Sequence, residues 1–397
     1  MKINGVIAEF NPFHNGHKYL LDTVRENPED GVVCVMSGNF VQRGEPAIIS
    51  KFARTKAAIA CGADLVLELP LPYSISSAMY FANGATEILN GLGVVDTLCF
   101  GSECGDVEKI KHAAGIMNNP LMSELTKTEL KTGVSYPVAR KEAAEKLSFE
   151  DDLSVLTTPN DILAVEYISA AQRIGAKFDF KAIKRIGTDH DSDTVNGQYC
   201  SASHIRELIK TNPALLKGFM PDESFNILIE EAKQGKLASY SLLERAVVAH
   251  LRTVTPESLR NVPDVSEGIE NRIILASNKF NTLDEIISAS KSKRYTHARL
   301  RRIVLASYLG LAGGFRQRKV PYIRVLGLNE KGAEILSLAK HKSTLFVVGS
   351  LKEAERISST AARYAELEAK AGDIYSLMQK YPSPGKTDYT TKFYKNF

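Results

Sequence analysis

The chain has 397 residues, enough for two domains that each bury a core. Hydrophobic residues at 44% and charged residues at 24% are the balance of a globular chain, which argues against disorder. No run of about 18 apolar residues is present to span a bilayer, and Met1 to Gly5 do not begin a cleavable leader, so a cytoplasmic protein with no membrane attachment is expected.

The net charge of +4 is unevenly placed. Between Arg272 and Arg324 stand Lys279, Lys291, Lys293, Arg294, Arg299, Arg301, Arg302, Arg316, Arg318 and Lys319, opposed by Asp284 and Glu285. Such an excess is the footprint of a polyanion site, although a solvated helix face is the plainer reading of any basic run. Cys34, Cys61, Cys99, Cys104 and Cys200 are odd in number and lack zinc-site or disulfide spacing, so they read as reduced, mostly buried thiols.

In chain order, Ile3 to Phe10 is an apolar run that stops at Asn11-Pro12, and a helical period follows from about His17 with Tyr19, Leu20, Leu21 and Val24 as its apolar positions. Further strands are expected at Val32 to Met36, Leu65 to Leu69 and Val94 to Phe100, with helices between them near Lys51 to Cys61 and Ser77 to Leu89. This alternation predicts an α/β, Rossmann-like parallel sheet with ligands beyond the carboxyl ends of its strands. Val107 to Leu147 reads as helical, Pro159-Asn160-Asp161 opens another helix with Asn160 as a cap, and Phe180 to Ile186 reads as a returning strand. Ser201-Ala202-Ser203 caps a further helix. Beyond Asn212-Pro213 only helical periodicity is evident, apart from a short strand at Thr344 to Val348. The expected division is therefore residues 1–210, catalytic, and 211–397, mainly helical and basic, with a loosely ordered end from Tyr381 to Phe397.

The first strand-to-helix turn carries His14-Asn15-Gly16-His17. Unpaired backbone N–H groups and the helix dipole favour an anion there. Gly16 lets the backbone approach a phosphate, and imidazoles at positions 14 and 17 can donate to charge that develops on an attacked α-phosphate. A second phosphate-type element, Ser201-Ala202-Ser203-His204-Ile205-Arg206, places Ser203 and Arg206 one turn apart, so that hydroxyl and guanidinium face one anion.

With His14 and His17 as first motif and Ser203-His204-Ile205-Arg206 as the later one, the sequence resembles the HxGH nucleotidyltransferase superfamily, His204 replacing the usual threonine. Longer strings narrow the resemblance to the bacterial tRNA(Met) cytidine acetate ligases. They are Gly5 to His17, Ser37 to Pro46, Phe100-Gly101-Ser102-Glu103, Lys184-Arg185-Ile186-Gly187, Glu267 to Arg272 and Lys293 to Arg299. The resemblance implies an enzyme that uses ATP, with Mg2+ carried on it, to activate acetate as acetyl-adenylate and to acetylate N4 of the wobble cytidine of elongator tRNA(Met). It implies an ATP site over Ile7, Ala8, Glu9, Phe10, Asn11, Pro12, Phe13, His14, Asn15, Gly16, His17, Lys18 and Leu20, joined by Gly101, Asn160, Arg185 and Ile186, with Ser203 and Arg206 on the outer phosphates. His14 and His17 are the expected catalytic pair. Asn39, Gln42 and Arg43 form an expected rim for acetate or cytidine, or else a turn held by its own side chains. Lys291, Lys293, Arg294, Arg299, Arg301 and Arg302, interleaved with Tyr295 and His297, are the expected tRNA contacts.

Other motifs fail on context. Gly91-Leu92-Gly93 precedes a strand instead of following one, and Gly385-Lys386-Thr387 lacks the first glycine of a P-loop. Asp189-His190-Asp191-Ser192-Asp193 has calcium-loop spacing but lacks the turn glycine and terminal glutamate, so no dedicated metal site is expected. Two rivals fit less of the chain: an adenylyltransferase acting on a small phosphate ester leaves the basic segment without a role, and a non-catalytic RNA-binding protein leaves the histidine pair without one.

Overall fold

The computed structural model describes residues 1–148, 152–186, 197–317 and 319–397. The acidic run Asp189–Asp193, Gly187 and Arg318 lie outside the described residues. Among the described residues ten strands occur: β1 (Ile3–Ala8), β2 (Gly31–Ser37), β3 (Phe40–Val41), β4 (Glu45–Pro46), β5 (Leu65–Leu69), β6 (Thr97–Ser102), β7 (Asp179–Lys184), β8 (Ile323–Asn329), β9 (Val347–Val348) and β10 (Tyr394–Asn396). Eight form one sheet in the order β10-β8-β5-β2-β1-β6-β7, with β9 also paired to β8, while β3 and β4 make a small hairpin. Every pairing in the large sheet is parallel except β5 with β8.

The central strands β1, β2 and β5 are buried on both faces, as helical crossovers require. Alternate residues of β2 show this: Val33 and Val35 join one apolar cluster, and Val32, Cys34 and Met36 another. From β1 the chain moves outward to β2 and β5, then returns to the opposite side of β1 with β6. That reversal opens a crevice between the carboxyl ends of β1 and β6, the place where such sheets bind ligands.

The five strands expected before residue 190 stand within a few residues of their sequence-derived limits, as do the helices between them, and the helix Pro159–Arg173 begins where expected. Its cap is Thr158, which leaves Asn160 inside the first turn. Beyond residue 210 the sequence reading missed β8, which enters the sheet antiparallel to β5. Its run Ile-Arg-Val-Leu-Gly-Leu-Asn has strand-forming residues, but a buried Arg324 interrupts the apolar pattern that periodicity looks for. The sheet thus takes strands from both sides of residue 210, and one apolar cluster runs from its face into the carboxyl-terminal helices through Val247, Ile273, Ile286 and Leu300.

The segment after Tyr381, expected to be loose, ends in β10 and buries Asp388. Asp388 and Glu68 together neutralise Lys51 and Arg324: Lys51 Nζ lies 2.5 Å from each carboxylate, and Arg324 lies 2.5 Å from Asp388 and 2.8 Å from Glu68. Glu368 stands beside this cluster, and burial next to Glu68 pushes its carboxyl up to about 8. Cys34, Cys61, Cys99 and Cys200 are buried free thiols, and Cys104 is half-buried. Among the described residues no helix is long and apolar enough to cross a membrane.

Removing one carboxylate from a buried cluster leaves cations uncompensated, which typically costs about 3–5 kcal/mol. Asp388→Ala is therefore predicted to lower the urea midpoint strongly. A midpoint within experimental error of the parent would show that the last residues do not hold the sheet.

Candidate active site

The turn after β1 is sharply folded. Phe10 has φ +47, a left-handed conformation that a bulky residue adopts only when its surroundings enforce it. Its ring is fully buried, 4.9 Å from Phe13 and edge-on to His17 at 5.0 Å. His14 then caps the helix Asn15–Val24: its Nδ1 accepts from Gly16 N–H at 3.0 Å, and His17 Nδ1 accepts from His14 N–H at 3.2 Å. This is a capping box in which both side chains are imidazoles. A Cβ on residue 16 would stand 2.9 Å from the His14 ring, so glycine is what allows the ring to lie against the backbone.

These bonds determine the protonation of both rings. With each Nδ1 lone pair occupied by a backbone N–H, a neutral ring carries its proton on Nε2. The ring centroids lie 3.8 Å apart, with the planes tilted by 32°. Burial first, and then Arg185 and Arg206, push His14 down to about 3, while burial, His14 and Arg185 push His17 well below its ordinary value. At neutral pH the pair therefore presents two uncharged Nε2–H donors.

One cleft of about 250 Å³ lies over this turn. Of the expected ATP residues, Ile7, Ala8, Glu9, Phe10, Asn11, His14, Gly16, His17, Leu20, Gly101, Asn160, Arg185, Ile186, Ser203 and Arg206 line it, as do Gln42 and Arg43 of the expected rim. The later motif reaches the turn directly. Ser201 caps the helix Ala202–Thr211, and Arg206 donates from Nη2 to Ser203 Oγ at 3.1 Å and from Nη1 to the Asn11 carbonyl at 2.8 Å. The divergent His204 gives its backbone N–H to Ser201 and turns its ring edge-on to Phe219. On the opposite wall Glu103 accepts from the Asn160 amide and the Asp161 N–H, while Asp161 accepts from Ser102 Oγ and from the N–H groups of Glu103 and Cys104. The string Gly101-Ser102-Glu103 is thus a clamp that joins β6 to the start of the helix Pro159–Arg173.

Other expected residues point elsewhere. Phe13 is buried in the core, and Pro12 is buried in the turn. The Asn15 amide donates to the carbonyls of Gln198 and Gly218, and Lys18 pairs with Asp22 one turn on. Asn39 is outside the lining of the cleft, and its side chain accepts from the N–H of Lys51, the first residue of the helix Lys51–Ala60 that Ser50 caps, at 2.8 Å. Tyr295 is buried with its hydroxyl on Ser266, so it offers no face to a base. Arg294 pairs with Glu267, Arg299 donates to the Asp264 carbonyl, Arg301 pairs with Glu45, and Arg302 pairs with Asp264. Lys291 and Lys293 are exposed and have no ion pair among the described residues.

Sequence reasoning missed Arg54. It is fully buried, and it donates to the carbonyls of Glu9 at 2.6 Å, Ser37 at 3.1 Å and Ile49 at 3.2 Å, and to that of Gly38. The signal was a single arginine inside an alanine-rich helix. Tyr19, Phe81, Tyr167 and Tyr199 also line the cleft, but as scattered aromatics they carry no motif.

A nucleotide-sized crevice at the sheet's reversal, with paired histidine donors at a helix start, defines a nucleotidyltransferase. The family described as HIGH Nucleotidyl Transferase matches residues 1–389, and the chain belongs to it. Within that family the chain is 41% identical over 402 aligned residues to the tRNA(Met) cytidine acetate ligase of Acetivibrio thermocellus, with 96% of each chain covered. The crystal structure of Thermotoga maritima TmcAL, apo form I, superposes with a TM-score of 0.93 at 33% identity, covering 100% of this chain and 99% of that one. The same protein bound to alpha-thio ATP superposes with a TM-score of 0.91 at 33% identity over all of both chains.

The depressed histidines make stability depend on pH. Above His14's ordinary value of 6.5 the ring is neutral in both states; below it the unfolded chain takes up a proton that the folded site refuses, so stability falls as the pH drops toward about 3. His14→Gln is predicted to shrink the fall in Tm between about pH 7.5 and about pH 4.5. An equal fall in parent and variant would show that His14 is not held neutral.

Proposed function

We propose that this chain is a ligase that acetylates N4 of the wobble cytidine of elongator tRNA(Met), using acetate and ATP. The carrying observation is the histidine pair, two neutral Nε2–H donors fixed by backbone bonds beside Arg185 and Arg206 in one cleft. The likeness to the acetate ligases and to the alpha-thio ATP complex supports this reading.

The chemistry has two halves. Acetate cannot acylate an amine directly, because oxide would have to leave. Its carboxylate attacks the α-phosphorus of ATP, the bond to the β-phosphate breaks, and acetyl-adenylate and pyrophosphate form, which makes AMP the next leaving group. Charge grows on the α-phosphate oxygens as that attack proceeds. The Nε2–H donors of His14 and His17 meet it in an orientation fixed beforehand, so little reorganisation is needed. Ser203 and Arg206 hold the outer phosphates, and the helix start at Asn15-Gly16 supplies backbone donors. Gly101, Asn160, Arg185 and Ile186 flank the nucleoside, and a Mg2+ carried with ATP would offset phosphate charge without a dedicated set of protein ligands. The cytidine amine then attacks the activated carbonyl.

Acetate-dependent exchange of pyrophosphate into ATP, without tRNA, tests the first half. His14→Ala and His17→Ala are each predicted to lose roughly 10²- to 10³-fold in exchange rate with the fold intact. Turnover close to that of the parent in either variant removes the histidine pair from the mechanism.

Recognition of the tRNA falls to the exposed Lys291 and Lys293, because Arg294, Arg299, Arg301 and Arg302 are engaged within the protein. Each phosphate contact in a single-stranded loop contributes roughly 0.7 to the slope of log affinity against log salt. The double variant Lys291→Ala, Lys293→Ala is predicted to bind tRNA more weakly and to flatten that slope by roughly 1.4. A slope and an affinity like the parent's would assign these lysines to an ordinary solvated surface.

A further inference from the structure

The cleft contains a carboxylate that the activation of acetate does not use. Glu9 follows β1 directly and lines the same cleft as His14, Arg185 and Arg206. Its position is fixed at both ends. The carbonyl accepts from Arg54 Nη1 at 2.6 Å, and Oε1 accepts from the Gln42 N–H at 2.7 Å. The left-handed Phe10 immediately after it turns the chain away from the strand direction. Among the described residues Glu9 has no ion pair, whereas Glu45, the other carboxylate of the cleft, is paired with Arg301.

ATP and acetate are both anions, so a carboxylate in their cleft opposes their binding. The cytidine is the substrate with N–H groups at its reacting atom. Its amine is also a poor nucleophile, because the N4 lone pair is delocalised into the ring. As N4 bonds to the acetyl carbon it becomes cationic unless one of its protons departs, and a positioned base is what such a step requires.

We infer that Glu9 is the general base of the acetyl-transfer step, taking a proton from N4 of the cytidine on its Oε2. In that step the N4 lone pair forms the bond to the carbonyl carbon, and one N4 proton passes to Glu9. The C–O bond to the α-phosphate breaks, and its electron pair leaves with AMP. The proton returns to solvent once the product departs. The groups facing Glu9 are Arg54 from the helix Lys51–Ala60, Arg206 from the helix Ala202–Thr211, Arg43 from the rim and the Tyr167 phenol from the helix Pro159–Arg173. Burial raises Glu9 above the usual carboxylate range against the pull of the Gln42 N–H and the three arginines, which makes it a stronger base than an exposed glutamate.

This inference rests on the acetate-ligase reading, and a test that starts from synthetic acetyl-adenylate separates the two. Single-turnover acetyl transfer to a tRNA(Met) transcript is followed from about pH 5 to about pH 8. The parent enzyme should slow on the acid side as one carboxyl protonates. Glu9→Gln keeps the shape of the side chain and should transfer roughly 10²- to 10⁴-fold more slowly, with that acid limb gone. Glu9→Asp, still a base, should be slower than the parent but keep the limb. A Glu9→Gln rate within tenfold of the parent, an acid limb that persists in it, or no acid limb in the parent would each overturn the assignment. Failure of the parent itself to transfer from acetyl-adenylate would overturn the ligase reading, and this inference with it.

Discussion

The active cleft depends on one buried guanidinium. Arg54 has no exposure, and its donors go to backbone carbonyls at the carboxyl ends of β1 and β2 and at the entry to its own helix. Carbonyls at strand ends have lost their ladder partners and would otherwise be buried unpaired. Gathering them on one side chain closes that deficit and sets the spacing between Glu9 and the turn at Ser37-Gly38. Burial pulls Arg54 down to about 10, so it remains charged at neutral pH despite its surroundings. The helix that carries it begins at Lys51, whose N–H is held by Asn39 and whose ammonium sits between Glu68 and Asp388. The last residues of the chain are therefore mechanically connected to the first turn.

The rim of the cleft belongs to both halves of the sequence in the same way. Gly44 has φ +75, and a Cβ there would lie 2.5 Å from the Arg302 backbone nitrogen, so the β3–β4 hairpin packs directly on the helix His297–Leu309. Arg301 reaches Glu45 at the mouth of the cleft, and Tyr240 donates to the Gly44 carbonyl. Two arginines of the basic segment, Arg301 and Arg302, also brace the hairpin, through Glu45 and the Gln42 carbonyl. Charge count cannot distinguish these uses, because an arginine that pairs with a distant glutamate and one that waits for a phosphate look alike in one dimension.

How much was legible follows from how local each signal is. The turn at His14 to His17, the capped helix at Ser201 and the strands of the parallel sheet are specified by residues close together in the chain, and local pattern places them to within a few residues. The Ser203–Arg206 bond was also foreseeable from helical spacing, though not the reach of Arg206 to the Asn11 carbonyl. What escaped was built from distant partners. β8 is stabilised by pairing with β5 and by compensation of Arg324 from Glu68 and Asp388. Arg54 has no motif, since its partners are backbone atoms. The partner of Asn39 is the N–H of Lys51, twelve residues on, which no local pattern reveals.

The two half-reactions proposed above make opposite demands on one small space, and the first turn carries a group suited to each. Forming acetyl-adenylate requires hydrogen-bond donors for growing negative charge, whereas breaking it with an amine requires an acceptor for a proton. Cationic histidines would serve the first demand at the expense of the second, because a strong positive field lowers the basicity of any carboxylate nearby. Neutral imidazoles donate without adding that charge, and their Nδ1 bonds to backbone N–H groups keep the donor edge available. The net charge of the cleft wall comes instead from Arg185, which lowers both imidazoles, and Arg206, which lowers His14, so the arginines help to hold the pair neutral. The separation of donor from acceptor is short in sequence, from Glu9 to His14, and it is the folded turn at Phe10 that lets the two face one cleft from adjoining walls.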